Sequence, residues 1–334
     1  MGKTALLEAM FLHLGVADPY LTMSLGTFRG FNPTVDAERT WAGLFRYGKN
    51  EGIIKLTSVS DENMLYETQI DLVEFNNPTQ DLQMNQDLMV TRDGTAFQAP
   101  FGRIMWEKKL RFVFLIDHEE YKNAEAYFAE RGPIVNGSVI KKAIIHRPVV
   151  YQPSVYQSRT NSITGYSKLM KQRKEKPILD AIRLIEPDLH DLKLTGDTGI
   201  LELFADFQTG SMIPLSLAGE GLWHLFNYIV SIAAYPGGVV LFDEVENGIH
   251  YSIYGDVWRA IFNLAREQDV QVVATTHSME CLEAAHEAFL REKDLFGDKK
   301  LAIHRLEKRD DEIKAVTYDM ETFSSALEMN LEIR

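Results

Sequence analysis

Cysteine is nearly absent from this sequence: Cys281 is the single thiol among 334 residues. One cysteine excludes a framework of internal disulfide bonds, and the composition fits a reducing cytoplasm. No apolar run approaches the roughly 18 residues that cross a membrane. The opening residues 1–5 lack the basic start and the apolar core of a signal peptide. We therefore expect a cytoplasmic protein without a membrane segment.

The sequence also lacks an excess of basic residues. Its 35 lysines and arginines face 48 aspartates and glutamates, which gives a formal net charge of −13. Such a charge disfavours binding of nucleic acid over the whole surface, although a local basic groove stays open. The most basic stretch, residues 168–176, fits either a solvated helix face or a nucleic-acid contact.

The most informative stretch is a short apolar run, Val239–Phe242, that is followed by two acids, Asp243 and Glu244. The run predicts a strand buried on both faces. One carboxylate at its end can hold Mg²⁺, a cation that prefers oxygen ligands, and the next can orient or deprotonate a water. The same pair also fits a solvated turn at a strand end.

A second stretch, Gly2-Lys3-Thr4, stands directly before a predicted amphipathic helix over residues 5–12. It matches the end of a phosphate-binding loop, in which main-chain N–H groups cradle phosphate, lysine reaches the outer phosphates and the hydroxyl holds Mg²⁺. The earlier glycine of that motif, its four variable residues and the preceding strand are missing here. A tripeptide of this kind also arises by chance.

Two glycines, Gly219 and Gly221, flank Glu220 just before a helix predicted over residues 222–234. Main-chain N–H groups at such a helix start can bind phosphate oxygens. A simple N-cap turn explains the same residues.

A second apolar strand is predicted at residues 270–274 and is followed by His277. A histidine after a strand of an open α/β sheet faces the ligand crevice. Alone, such a residue also fits a structural histidine, but its place one strand-helix-strand crossover after Asp243 makes the pair more specific.

The remaining pattern predicts a strand-rich first part of the chain. Residues 22–103 are mostly strand-like, and Asp117-His118-Glu119-Glu120 fits a metal cluster or, as we favour, the capped start of a helix that ends near residues 132–133. Further strands are predicted at 53–59, 64–75, 88–91, 95–99, 110–116, 143–151, 192–195, 200–207, 301–306 and 313–318. Further helices are predicted at 177–185, 251–267 and 320–328.

Four segments, in this order, resemble the ABC-type ATPase fold, and in particular the bacterial AAA-family ATP-binding proteins of its OLD, RecF and SMC-like branch. They are Gly2-Lys3-Thr4, Ala218-Gly219-Glu220-Gly221, residues 239–244 and Thr275-Thr276-His277-Ser278. The match covers residues 2–15 and 214–334, and between 20 and 210 it rests on the order of elements. The absent strand and first half of the phosphate loop suggest an N-terminally shortened chain.

The resemblance implies an α/β P-loop NTPase fold with a strand-rich first lobe and an α/β second lobe. We expect a single domain over residues 1–334. Within it, residues 1–150 form the strand-rich lobe, 151–213 a helical and hairpin insert, and 214–334 the lobe with the signature segment, the Asp-Glu strand and His277.

The resemblance also implies roles for individual residues. Gly2 and Lys3 would bind the phosphates, and Thr4 and Asp243 would hold Mg²⁺. Glu244 would be the general base for the attacking water, with His277 contacting the γ-phosphate.

The family's signature segment corresponds to Gly219, Glu220 and Gly221, which would close on ATP held by the other subunit. Its leading serine is displaced, because Leu217 occupies that place and Ser216 stands one position early. Gln152 and Gln157 are both candidates for the family's glutamine loop.

The function implied is a Mg²⁺-dependent switch that binds and hydrolyses ATP as a homodimer with ATP between its subunits. A role in DNA repair or phage defence, with a partner protein encoded nearby, belongs to this expectation. The alternative is a non-catalytic interaction module or an inactive shortened ATPase that binds nucleotide weakly. Any nucleic-acid contact is expected at residues 168–176.

Overall fold

The computed structural model describes residues 2–32, 37–45, 52–74, 89–90, 96–97, 108–129, 132–139, 147–154, 159–196, 201–297, 301–310 and 312–329. The chain forms two compact units. The large unit combines Met1–Leu7 with Arg147–Arg334, and the small unit comprises Glu8–His146. Helix α1 (Lys3–Leu14) begins in the large unit and ends in the small one.

Two helices, α2 (Tyr20–Phe28) and α3 (Ala37–Ala42), occupy a part of the small unit that was predicted as strand. That prediction is wrong for these residues. Gly26 of α2 lies against Thr40 of α3, since a Cβ at Gly26 would stand 2.6 Å from Thr40 Cγ2. Helix packing here overrides the strand preference of threonine, leucine and phenylalanine.

The rest of the small unit is antiparallel sheet, with strand order β1-β2-β5-β6-β7 in its main sheet. Leu110, Phe112, Phe114 and Ile116 alternate on the buried face of one strand, as a half-buried strand requires. The strands are β1 (Ile53–Val59), β2 (Leu65–Glu74), β3 (Met89–Val90), β4 (Ala96–Phe97), β5 (Lys108–Ile116), β6 (Glu119–Ala129) and β7 (Gly132–Val139). The strands predicted at 53–59, 64–75 and 110–116 are confirmed, and β3 pairs with β4 as the predicted hairpin requires.

The helix predicted to start at Asp117 is wrong, because Asp117 and His118 form the two-residue turn of a β5–β6 hairpin. Their φ angles are +48° and +66°, as in the tight turns that match the twist of paired strands. Asp117 Oδ1 accepts a hydrogen bond from Leu65 N at 2.9 Å rather than capping a helix.

The large unit is built on three parallel strands with β12 in the centre, in the order β13-β12-β8. All four residues of β12 are buried, as predicted for this run. The strands are β8 (Val149–Gln152), β9 (Asp191–Thr195), β10 (Glu202–Asp206), β11 (Ile213–Pro214), β12 (Val239–Phe242), β13 (Gln271–Ala274), β14 (Ile303–Arg309) and β15 (Glu312–Tyr318). Strands β9–β11 form a separate antiparallel sheet, and β14 pairs with β15.

Helix α6 lies in the core of the large unit, where residues 222–233 are all buried. A helix in such a position is expected to be apolar on nearly all sides, and the polar exceptions among its buried residues are His224, Asn227 and Ser231. The helices are α4 (Arg159–Lys171), α5 (Lys176–Arg183), α6 (Glu220–Ala234), α7 (Tyr254–Glu267), α8 (Met279–Arg291), α9 (Lys293–Phe296) and α10 (Met320–Glu328). Among the described helices, none has the length and apolar character of a membrane-spanning segment.

Most elements predicted for the large unit are present with small shifts in their ends, and residues 143–146 of the strand predicted at 143–151 lie outside the described residues. The predicted helix at 251–267 begins with a 3₁₀ turn, Tyr251–Ile253, before α7. Helix α8 was not predicted. The basic residues 168, 171, 173, 174 and 176 are exposed at and after the end of α4, as both a solvated face and a nucleic-acid contact require.

Candidate functional site

Three parallel strands of the large unit end at the same edge of their sheet. Main-chain pairing continues just past these ends: Asp243 N donates to Gln152 O at 3.0 Å, and Thr275 N donates to Phe242 O at 2.8 Å. Because the carboxyl ends of parallel strands form the ligand crevice of open α/β sheets, side chains at this edge compose the candidate site.

The carboxylate of Asp243 lies at the centre of this edge and is only 3% exposed. Three hydroxyl groups donate to it. Thr275 Oγ1 lies 2.6 Å from Oδ1, Thr4 Oγ1 lies 2.9 Å from Oδ2, and the Tyr151 hydroxyl lies 3.4 Å from Oδ2. These bonds replace the water that a buried carboxylate loses.

Thr4 and Asp243 offer a hydroxyl and a carboxylate at one place, which is a donor set that fits Mg²⁺. This cation usually takes one or two protein oxygens and completes its shell with water and phosphate oxygens. The described residues contain no group of three or more His, Cys, Asp or Glu side chains that could hold a metal ion.

Lys3 and Gly2 stand at the N-terminus of α1, beside the same edge. Gly2 has a φ of +87°, which disfavours any residue with a Cβ. The ammonium of Lys3 donates to the main-chain oxygen of Thr276. Burial lowers the pKa of Lys3, and the charges of Glu246 and then Glu244 oppose that shift.

Glu244 and His277 face each other across the two loops that follow β12 and β13. Their side chains are 39% and 63% exposed, and His277 Nε2 lies 3.9 Å from Glu244 Oε1. Glu244 has a φ of +50°, a costly conformation for a residue with a side chain and one that is concentrated at functional sites. Its N–H donates to Thr275 Oγ1 at 2.9 Å.

Glu246 is a residue of this site that sequence reasoning missed. Its Oε1 accepts a hydrogen bond from the main-chain N–H of His277 at 2.6 Å. The available signal was a third acid two positions after Glu244, but no local pattern indicates which main-chain group such an acid reaches.

The predicted signature residues lie at the start of α6. Gly219 is the N-cap residue with a φ of +118° and open space around it, while Glu220 and Gly221 form the first turn. A Cβ at Gly221 would stand 2.9 Å from Gly248 O. The signature therefore packs directly on the segment that follows the Asp-Glu strand.

Ser216 and Leu217 precede this helix in a 3₁₀ turn, where Ser216 is half-buried and Leu217 is 77% exposed. In the described part of the chain, no hydrogen bond joins Ser216 or the signature glycines to Lys3, Thr4 or Asp243. The structure thus gathers Lys3, Thr4, Asp243, Glu244 and His277 at one edge, and it leaves the signature outside that cluster.

Of the two glutamine candidates, Gln152 ends β8 beside Asp243, and its amide Nε2 donates to Ser231 Oγ at 2.7 Å. Gln157 lies outside the described residues.

Solved structures similar to this chain include heads of SMC proteins. One, the SmcHead bound to the C-winged helix domain of ScpA, is 13% identical with a TM-score of 0.44, covering 97% of this chain and 89% of that one. Another, the SMC head domain from Thermotoga maritima, is 16% identical with a TM-score of 0.33, covering 67% of this chain and 80% of that one.

An "ATP/GTP phosphatase" of Helicobacter pylori (strain ATCC 700392 / 26695) is 33% identical over 92 residues. That segment is 27% of this chain and 25% of the relative, so the similarity spans about a quarter of the curated protein. Residues 157–283 match a family described as "AAA domain, putative AbiEii toxin, Type IV TA system". This match covers less than half of the chain, and within residues 157–283 the chain is similar to an AAA-type ATPase domain of α/β architecture.

Proposed function

We propose that this chain binds ATP with Mg²⁺ and hydrolyses it, acting as a dimer with ATP between its two copies. The observation that carries the proposal is the hydrogen bond from Thr4 to Asp243, 2.9 Å long, with Lys3 beside it on Thr276. A lysine and a hydroxyl at a helix start, next to a carboxylate that ends a buried strand, suit a triphosphate and its cation.

Each residue then has a defined task. Gly2 and Lys3 hold phosphate oxygens, the first through its main chain and the second through its charge. Thr4 and Asp243 hold Mg²⁺, which when bound neutralises charge on the phosphate oxygens.

Glu244 takes the proton of the attacking water. Its half-exposed carboxylate leaves room for that water, unlike the buried and fully hydrogen-bonded carboxylate of Asp243. His277 presents its exposed imidazole on the same side, 3.9 Å from Glu244, and contacts the γ-phosphate.

The dimer is supported by exposed side chains at and beside the signature. Gly221 touches Gly248, and the Glu220 side chain is 81% exposed. Two large apolar side chains, Leu217 and Tyr251, are 77% and 68% exposed beside these segments. Exposed apolar groups of this kind mark sites of protein association when they cluster.

The decisive experiment is calorimetric titration with ATP and Mg²⁺, combined with phosphate release, for the parental protein and for Glu244→Gln. We expect Glu244→Gln to bind ATP and to lose about 10²- to 10⁴-fold in hydrolysis. Glu267→Gln, at an exposed position that ends α7, is the matched control. Hydrolysis by Glu244→Gln at the parental rate would remove the base assignment, and a parental chain that binds no ATP would favour a non-catalytic interaction module.

The biological setting that we propose is phage defence or DNA repair together with a partner protein encoded nearby. The support is the family description, which names a type IV toxin–antitoxin system. Co-expression with each neighbouring gene, followed by phage challenge of cells with the parental or the Glu244→Gln protein, tests this. Equal plaque counts in all strains would contradict a defence role.

A further inference from the structure

Two loops at the edge of the parallel sheet are joined residue by residue. Glu244 N donates to Thr275 Oγ1 at 2.9 Å, and Val245 N donates to Thr275 O at 3.0 Å. The next contact in this series comes from a side chain, since Glu246 Oε1 accepts from His277 N at 2.6 Å. The carboxylate of Glu246 therefore continues the main-chain pairing of the two loops up to His277.

The peptide group between Thr276 and His277 is held at both of its ends. Its C=O accepts from the Lys3 ammonium, and its N–H donates to the Glu246 carboxylate. Both bonds involve a charged group and are stronger than bonds between neutral groups. Because a peptide group is planar, holding both ends fixes the position of the His277 Cα, from which the side chain leaves the main chain.

Lys3 can keep this bond while it serves the phosphates, since an ammonium has three N–H donors. Among the described residues Glu246 has no hydrogen bond to Lys3 or Thr4, although its charge opposes the lowering of the Lys3 pKa. Its second oxygen, Oε2, is buried and has no hydrogen-bond donor among the described residues. A buried acceptor without a donor disfavours the folded state, so a carboxylate at this place does more for the His277 peptide than for stability.

We propose that Glu246 is the positioning residue for His277, holding the peptide group from the side opposite Lys3 so that the imidazole stays beside Glu244. The inference rests on the function proposed above for His277. It predicts that loss of the Glu246 acceptor slows turnover more than it weakens the binding of ATP, because the hydrogen bond of Glu246 goes to the His277 peptide group.

The first test measures the NMR signal and the hydrogen exchange of the His277 amide, and it needs no nucleotide. Selective ¹⁵N labelling of the nine histidines gives a small set of amide signals, and the signal lost in His277→Ala identifies His277. In Glu246→Ala we expect this signal to move upfield and its hydrogen exchange to rise about tenfold or more, as loss of a charged hydrogen bond predicts. Glu246→Gln keeps an acceptor oxygen and should be intermediate, and Glu267→Gln should match the parental protein.

The second test is steady-state ATP hydrolysis by the same variants. We expect kcat to fall about tenfold in Glu246→Ala with KM for ATP within twofold, and Gln to restore most of the rate. An unmoved His277 signal in Glu246→Ala, or a loss expressed in KM alone, overturns the proposal. Should the parental protein hydrolyse no ATP, the proposed function fails, and the amide signal still decides whether Glu246 holds the peptide. If Glu246→Ala does not fold, the intermediate exchange expected of Glu246→Gln decides in its place.

Discussion

Thr4 and Asp243 are separated by 239 positions in the chain and are joined by a hydrogen bond of 2.9 Å. The hydroxyl belongs to the first turn of α1, and the carboxylate follows the central strand of the parallel sheet. Neither motif is specific by itself, because a Gly-Lys-Thr tripeptide and a pair of acids both occur by chance. Their contact brings these two weak signals together and supports the site for phosphate and Mg²⁺ that we propose.

This contact predicts a shift in the requirement for Mg²⁺. Thr4→Val keeps the volume of the side chain and removes the hydroxyl, so we expect the Mg²⁺ concentration for half-maximal hydrolysis to rise about 10- to 100-fold. A Mg²⁺ titration of the hydrolysis rate measures it. Thr57→Val, at an exposed position of β1, is the control, and an unchanged requirement in Thr4→Val would argue against a cation at Asp243.

Shortening a buried side chain of the central strand should cause a large loss of stability. Leu241 is completely buried in β12, so Leu241→Ala should lower the free energy of unfolding by about 2–5 kcal/mol. Urea denaturation followed by circular dichroism measures the change. Leu217→Ala removes the same atoms at a position that is 77% exposed and should change stability by less than about 0.5 kcal/mol.

The exposed apolar side chains beside the signature predict where the dimer forms. In the Glu244→Gln background, which should retain ATP, the substitutions Leu217→Asp and Tyr251→Asp should each abolish ATP-dependent dimerisation, because they place a charge in an apolar contact. Light scattering after size-exclusion chromatography, with and without ATP and Mg²⁺, measures the molar mass of the protein in solution. Leu295→Asp, at another exposed position, should still dimerise; dimers in all three variants would exclude this surface.

A buried histidine of the small unit, His13, should lower the free energy of unfolding at acid pH. His13 is buried, and its ring nitrogens lie 2.9 Å from Thr68 Oγ1 and 2.8 Å from Ser58 Oγ. Burial lowers the pKa of His13, whereas a histidine in the unfolded chain has a pKa of about 6.5. Below about pH 6.5 the unfolded state therefore binds more protons, and the free energy of unfolding falls as the pH falls towards the lowered pKa.

Urea denaturation between pH 8 and pH 5 tests this sign, taking both limits as about 1.5 units either side of the ordinary value. His13→Gln should flatten part of the pH dependence, and His190→Gln, at an exposed position, should leave it intact. A remaining slope is expected, since burial also lowers the pKa of His224. Parental and His13→Gln curves of equal slope would remove His13 as a cause.

Local pattern was sufficient for the central strand of the large unit. The side chains of four consecutive apolar residues in a strand point to both faces of the sheet. They are removed from water only when both faces of the sheet are covered, and β12 is buried throughout. The strand β5 and the helix α7 could be predicted for the same reason. The alternation of apolar residues in a strand and the apolar stripe of a helix are both patterns of residues close together in the sequence. The roles of the site residues and the limits of the domains stay predictions.

Other features depended on contacts between distant residues. The Asp117-His118 turn resembles a helix cap in sequence, and only the pairing of β5 with β6 makes it a hairpin. The helices α2 and α3 replace predicted strand because Gly26 lets Thr40 approach. Such choices are decided by packing energy, which a local window does not contain.

The amino-acid sequence by itself determined the residue types of the proposed site: a lysine and a hydroxyl before a helix, acids after one buried strand and a histidine after another. Only the tertiary structure decided that Lys3 and Glu246 hold opposite ends of the peptide group before His277. The reason is physical. Side-chain types are set by sequence, whereas the meeting of a donor and an acceptor depends on ångström distances that arise only when the strands align their ends.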